Sequence, residues 1–323
     1  MKAIVCDCYG TPSVLRMKEL PQPMVTDSEI LVRVVASTVN RTDCAILSAR
    51  PFIMRFFTGL LKPNKVVPGT EFAGVVMQVG AAVTRFQVGQ RVFGFNDLGL
   101  SAHAEYLSIA EDAAIAEILA QFSFAQAAAS IEGAHYAYNY INKIKIRAGD
   151  KILINGASGA IGTALLQFCV ALGAEVTVVS AQKHAALLLS LGARNFIDYT
   201  TTDFTQQNAS YDFVFDVVGT SSYRRCRHLL SANGIYISSE LGRWSQNLYL
   251  PLLTRFFCAR KVIFPFPASI KDSLEFIQQQ ISRGQFAPVI DREYCLDDLA
   301  QAFIYVQGGH KTGNVVVRIA EEV

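Results

Sequence analysis

The sequence predicts an α/β fold, a doubly wound parallel sheet joined to a β-rich domain, and three patterns carry that prediction. Lys151–Asn155 is an apolar strand that runs directly into the glycine turn Gly156-Ala-Ser-Gly159-Ala-Ile-Gly162 and then into the apolar run 163–172. Strand, glycine turn and helix in that order open a βαβ unit. From about residue 125 helical runs alternate with short strands, the pattern of a parallel sheet covered by helices. Before that point short strands are punctuated by Gly69, Gly80 and Gly89, which marks a β-rich domain.

Taken in order, the chain enters on an alternating strand at 3–7 and continues with strands at 30–36, 71–79, 91–95 and 104–108. Between them, 51–61 is apolar and bulky, unlike a typical surface loop, and carries Phe52, Phe56 and Phe57. After the glycine turn, Gly173-Ala174 ends the helix and 175–180 is the second strand, completing a βαβ unit of about 30 residues. A helix at 182–191, strands at 195–198 and 211–218, a helix near 221–231 and strands at 234–239 and 261–265 complete a six-stranded sheet. The tail holds helices at 271–283 and 296–306 and a strand at 313–319. That is too little for an independent domain, so it should rejoin the N-terminal one. The expected domains are therefore 1–124 with 265–323, and 125–264.

Physical chemistry gives the glycine turn its meaning. A helix N-terminus carries unpaired amides and the positive end of the helix dipole, and glycine lets a diphosphate approach them. Ala157 occupies the place of the first glycine in Gly-x-Gly-x-x-Gly, which is allowed if its φ is negative. An NAD site usually has an acid about 20 residues further on, bonded to the ribose 2′-OH. Here that place reads Ser180-Ala-Gln-Lys183. A hydroxyl and an ammonium hold a 2′-phosphate that a carboxylate would repel, so the expected cofactor is NADPH.

Composition narrows the class. Of the 323 residues 51% are hydrophobic and 17% charged, which fits a well-buried globular protein and excludes a disordered one. A formal net charge of +2 gives no overall basic bias for nucleic acid, and the one dense basic cluster, 224–228, reads as a solvated helix face. No signal-peptide pattern opens the chain, and no apolar run approaches a membrane span of about 20 residues. The seven cysteines are odd in number and contain no Cys-x-x-Cys pair, which fits a reduced cytoplasmic setting.

Scattered motifs then resemble one superfamily nearly end to end. They are Asn40-Arg-Thr-Asp43, Pro68-Gly-Thr-Glu-Phe-Ala-Gly-Val-Val76, Ala104-Glu-Tyr106, the stretch from Arg147 to Gly159, Leu191-Gly-Ala193, Ile197-Asp-Tyr199, Tyr211-Asp212 and Gly313-Asn-Val-Val-Val317. Together they resemble the medium-chain dehydrogenase/reductases, and within them the zinc-free quinone oxidoreductase branch. The resemblance implies a Rossmann nucleotide-binding domain inserted into a split, β-rich, GroES-like catalytic domain, with the cofactor in the cleft between them. It also implies a homodimer. Zinc-dependent relatives hold a metal at positions matched here by Asn40, Thr70 and Ile131. An amide, a hydroxyl and an alkyl group do not replace thiolate and imidazole ligands, so no zinc is expected.

Without a Lewis acid, alcohol oxidation is disfavoured, whereas quinones and α,β-unsaturated carbonyl compounds delocalise an incoming hydride by themselves. The leading expectation is an NADPH-dependent reductase of such acceptors. Its rivals are a non-catalytic NADPH-binding sensor or structural protein and, more weakly, an alcohol dehydrogenase with an atypical metal site. The diphosphate is assigned to the backbones of Ala157, Ser158, Gly159, Ala160 and Ile161, and the 2′-phosphate to Ser180 and Lys183. By resemblance, Tyr199 packs near the adenosine, Val218 and Gly219 near the nicotinamide ribose, and Asn40 and Asp43 near the nicotinamide. His135 stands where many relatives carry a small hydroxyl residue, and is a candidate proton donor because imidazole titrates near neutral pH. Phe52, Phe56 and Phe57 are candidate walls of the acceptor pocket. Glu71 is expected to pair with Arg41 or Arg91, His103 to be structural, and Asn314 to replace a lysine found in relatives.

Overall fold

The longest strand, Glu29–Val39, is the spine of the first of two units in the computed structural model, which describes residues 1–321. Nine of its eleven positions, all but Glu29 and Arg33, are apolar or small, and those nine are buried, the pattern of a strand covered on both faces. It pairs antiparallel with Glu71–Val79 and with Tyr106–Ala110, and Arg91–Phe95 and Ile115–Glu117 extend the sheet on one side. On its other side lies Asn314–Arg318, whose three valines are fully buried. The tail therefore rejoins the N-terminal domain.

Outside Asn314–Arg318 runs a parallel strand, Ile290–Cys295, that the sequence pattern does not announce. Its Asp-Arg-Glu-Tyr run has no apolar alternation because it is an edge strand, where charges are favoured. The helix Phe124–Ala129, started by a Ser123–Gln126 capping box, buries its alanines in this unit's core beside Phe93, Phe95 and Val316. The first unit accordingly runs to residue 132 and takes back 270–278 and the chain from 288, while the second holds 133–269 and 279–287.

The second unit is a six-stranded, all-parallel sheet in the order Asn195–Asp198, Glu175–Ser180, Lys151–Asn155, Tyr211–Asp216, Leu230–Ser238, Lys261–Ile263. Numbered along the chain this is 3-2-1-4-5-6, the Rossmann order, which places ligands beyond the carboxyl ends of its central strands. The helix expected near 221–231 is only Tyr223–Cys226 with a 3-10 turn, because Leu230 already begins the next strand. Gln246–Phe257 forms a helix that contains Pro251 and lacks a side-chain cap, so it carries none of the usual start signals.

Two glycines decide how the first helix meets the sheet. Gly156 takes a positive φ of 88°, and a Cβ there would run into Val218. A Cβ on Gly162 would meet the Gly156 carbonyl oxygen and lie 2.6 Å from Ala157 Cα. Gly162→Ala should therefore push the helix off the strand and cost about 1–3 kcal/mol, read as a lower denaturant midpoint at unchanged slope.

Candidate functional site

The nucleotide end is built from backbone. Helix Ala160–Ala171 begins after Gly159 with no side-chain cap, so its first-turn amides lack an internal acceptor. A Cβ on Gly159 would meet nothing nearer than the Gly156 oxygen at 3.9 Å, so the space above the turn is open. The positive φ falls on Gly156 and not on Ala157, which explains how alanine is accommodated. Ala157 is itself fully buried, and its amide donates to Val179 O at 3.3 Å, alongside that of Gly156 at 3.1 Å. Its N–H is thus spent on the sheet, a correction to its assignment at the diphosphate. Gly159 N makes a long bond to Gly156 O at 3.4 Å, and Ser158, Ala160 and Ile161 supply the remaining amides.

Ser180 ends the second strand opposite Asp198, and Tyr199 N donates to Ser180 O at 3.3 Å. The structure thus brings Ser180 and Tyr199 to neighbouring strand ends, with exposed Lys183 in the turn that follows. Ser180 is buried and Tyr199 exposed. The nearby carboxylate of Asp198 is engaged in its own turn, accepting from Thr200 N at 2.9 Å and Thr200 Oγ1 at 2.7 Å.

Val218 and Gly219 lie in a loop organised by a residue that sequence reasoning passed over. Asp216 is fully buried; its Oδ1 accepts from Asn155 Nδ2 and Gly219 N, and its Oδ2 from Ser221 N and Tyr236 Oη, all at 3.0 Å. The signal was present, since Asn155 and Asp216 are polar residues at the ends of adjacent apolar strands.

In the first unit, Asn40 and Asp43 close a capping box on helix Arg41–Ser48: Asp43 N donates to Asn40 Oδ1 at 2.8 Å, and Asn40 N to Asp43 Oδ2 at 3.0 Å. Asn40 Nδ2 also donates to Thr70 Oγ1 at 2.8 Å and to Glu71 Oε1 at 3.4 Å. Glu71 is completed by Thr38 Oγ1 and by the amide of Glu132 at 2.8 Å, while Thr42 Oγ1 donates to Glu132 Oε1 at 3.0 Å. Glu71 therefore pairs with neither Arg41 nor Arg91. Its carboxyl group is enclosed by neutral donors, and the Arg91 guanidinium is committed to Phe122 O and the ring of Phe124.

Three buried carboxyl groups in one network cannot all ionise cheaply. Burial, with repulsion from Glu132, raises Glu71 to about 8 and Asp43 to about 7, and burial raises Glu132 as well. Asp43 Oδ1 has no hydrogen-bond partner. Lys311 donates to Gly313 O; burial lowers its pKa, and the charges of Glu132 and Glu71 oppose that shift.

His135 belongs to the second unit, where it is fully buried with Nε2 3.4 Å from Asn139 Nδ2. Burial lowers it to about 4, so its ring is neutral at pH 7 instead of titrating near neutrality as expected. His103 is buried too, its Nε2 2.8 Å from Thr38 O. Phe52, Phe56 and Phe57 are exposed on and beside the short helix Met54–Thr58, with Phe52 and Phe56 edge to face at 6.0 Å.

The comparisons agree with this architecture. Residues 26–135 match the alcohol dehydrogenase GroES-like domain, and residues 191–317 the zinc-binding dehydrogenase family. The homologues of the chain are quinone oxidoreductases and enone reductases of the medium-chain dehydrogenase/reductase superfamily. Its relatives there include the chloroplastic NADPH-dependent alkenal/one oxidoreductase of Arabidopsis thaliana, 27% identical over 98% of this chain and 79% of that one. The chloroplastic quinone-oxidoreductase QR1 of Triphysaria versicolor is 26% identical over 98% of both chains. In fold, the chain resembles the quinone oxidoreductase from Coxiella burnetii, with a TM-score of 0.85, 24% identity and 99% coverage of both chains.

The raised carboxyl pKa values have a sign that can be measured. The folded state holds protons on Asp43 and Glu71 that the unfolded chain, titrating near 4, has already released. Their contribution is full below about pH 4 and is lost as pH rises through about 7 and about 8. Melting temperature should fall from about pH 5 to about pH 9, and Glu71→Gln should flatten the upper part of that fall in a calorimetric pH series.

Proposed function

We propose that this chain is an NADPH-dependent, zinc-independent reductase of quinones or α,β-unsaturated carbonyl compounds, acting as a homodimer in the cytoplasm. The observation that carries the proposal is the open, uncapped helix N-terminus at Gly159, followed at the next strand end by Ser180 and Lys183 instead of a free acid. Those residues fit a dinucleotide with a 2′-phosphate. The names of the Arabidopsis and Triphysaria relatives support both the cofactor and the acceptor class.

Ser158, Ala160 and Ile161 would meet the diphosphate through their amides, Ser180 and Lys183 the 2′-phosphate, Tyr199 the adenosine, and Val218 and Gly219 the nicotinamide ribose. When bound, the nicotinamide supplies a hydride to an electron-poor acceptor. Asn40 and Asp43 are the proposed acceptor-side residues, with Phe52, Phe56 and Phe57 as its apolar walls. Burial raises the Asp43 carboxyl to about 7, so it exchanges a proton near neutral pH, which suits it to give one up. His135, neutral at pH 7, can offer only an N–H.

Zinc independence is supported by the donor set. Asn40 and Thr70 are bonded to each other, and Ile131 is fully buried in an apolar core. The homodimer is supported by the edge strand Lys261–Ile263 and the groove of about 440 Å³ beside it, lined by Leu248, Leu252, Val262, Phe264 and Phe266. Among the described residues no helix is long and apolar enough to cross a membrane.

Lys183→Ala should raise the KM for NADPH about five- to tenfold and leave that for NADH unchanged, because only NADPH carries the group it binds. Steady-state assays with a panel of quinones and enones check this. NADPH binding without turnover of any acceptor would favour the non-catalytic alternative.

A further inference from the structure

The segment from Arg50 to Lys65 is built inside out. Six large apolar side chains, Phe52, Ile53, Phe56, Phe57, Leu60 and Leu61, are each more than half exposed, Leu61 at 86%. The polar groups point the other way. Tyr9 Oη donates to Gly59 O at 2.6 Å and lies 2.8 Å from Thr58 Oγ1, while Asn64 N donates to Thr58 O at 2.7 Å. Arg55 reaches Leu60 O at 3.1 Å and stacks over the ring of Tyr9 at 4.8 Å. The backbone is therefore held by its own hydrogen bonds, with the apolar side chains projecting into solvent. An exposed apolar patch of this kind is uncommon on a soluble surface and marks an interaction site.

Charge selects the partner. Arg50, Arg55, Lys62 and Lys65 lie in this segment, Arg55 bonded to Leu60 O and Lys65 to Gly99 O while Arg50 and Lys62 are exposed, and no Asp or Glu occurs between Asp43 and Glu71. A second copy of the segment would set like charges against each other in an apolar contact, which is unfavourable. An anionic lipid surface complements both features: bulky apolar side chains enter the boundary between headgroups and acyl chains, and cations meet the headgroups. We infer that residues 50–65 form a membrane-surface docking loop for anionic bilayers. The chain would lie on the bilayer and not span it. The loop shares Phe52, Phe56 and Phe57 with the acceptor pocket proposed above, so its test varies other residues and reads vesicle binding and not turnover.

The full-length protein should be sedimented with vesicles of phosphatidylcholine alone and of phosphatidylcholine mixed with phosphatidylglycerol, at low and high salt. Binding to the anionic vesicles, weakened by salt, is expected. Each cation near such a surface contributes about fivefold, so Arg50→Glu/Lys62→Glu should lower partitioning at least tenfold. Leu60→Ser/Leu61→Ser should lower it similarly by removing apolar insertion. Both pairs are exposed, so their thermal unfolding should match wild type. Wild-type protein that stays in the supernatant with anionic vesicles would overturn the inference. So would vesicle binding that neither double variant reduces, or an oligomer that Leu60→Ser/Leu61→Ser dissociates in the absence of any vesicle binding.

Discussion

The close approach of helix Ala160–Ala171 to the end of strand Lys151–Asn155 is the constraint on which the nucleotide end depends. Because Gly162 has no side chain, the first turn of the helix rests on the backbone of Gly156 and Ala157. Val179 O then takes the two amides that lead into the turn, and the amides that follow open beyond the carboxyl edge of the sheet. Asp216 does comparable work one strand away, using one carboxylate to hold Asn155, Gly219, Ser221 and Tyr236. The dipoles that would meet a diphosphate are therefore set by packing before any ligand arrives, which reduces the ordering cost of binding.

The other unit solves a different electrostatic problem. Its three buried carboxyl groups share one network around Asn40, and among the described residues none of the three enters a close ion pair. The chain answers with neutral donors: the hydroxyls of Thr38 and Thr42, the side chain of Asn40 and the amides of Asn40 and Glu132. Hydrogen bonds to neutral groups compensate burial only in part, so the acids retain protons where exposed ones would lose them. Asn40 joins this network to the start of helix Arg41–Ser48, so one side chain both caps the helix and bonds a buried carboxyl group. The sequence placed Asn40 and Asp43 near the nicotinamide by resemblance only, and the capping box they close was not read from it.

Much of the fold was legible because it rests on local periodicity. The six parallel strands, the glycine turn and the return of Asn314–Arg318 to the first sheet all follow from apolar runs and glycine punctuation. Ile290–Cys295 was not legible, since an edge strand with charged side chains lacks the alternation that marks a half-buried one. Helix Gln246–Phe257 was hidden by its proline and missing cap. At the site, backbone functions were visible as glycines, but pairings were not. Whether Glu71 faces an arginine or a threonine depends on strand register and not on spacing, and the depressed pKa of His135 depends on its burial in the fold.

Two exposed apolar surfaces remain, and their hydrogen bonding separates them. Beside helix Gln246–Phe257 the strand Lys261–Ile263 ends its sheet, so one row of backbone donors and acceptors is left for another strand. Apolar side chains next to an open edge suit a second polypeptide, because pairing satisfies the edge while burial supplies the free energy. The 50–65 segment offers no such edge. Its backbone is closed on Tyr9, Thr58 and Asn64, and what it presents outward is apolar bulk bordered by cations. A lipid surface needs no directional contact there. The same excess of exposed apolar area thus points to a strand-bearing partner at one place and to a fluid, anionic one at the other.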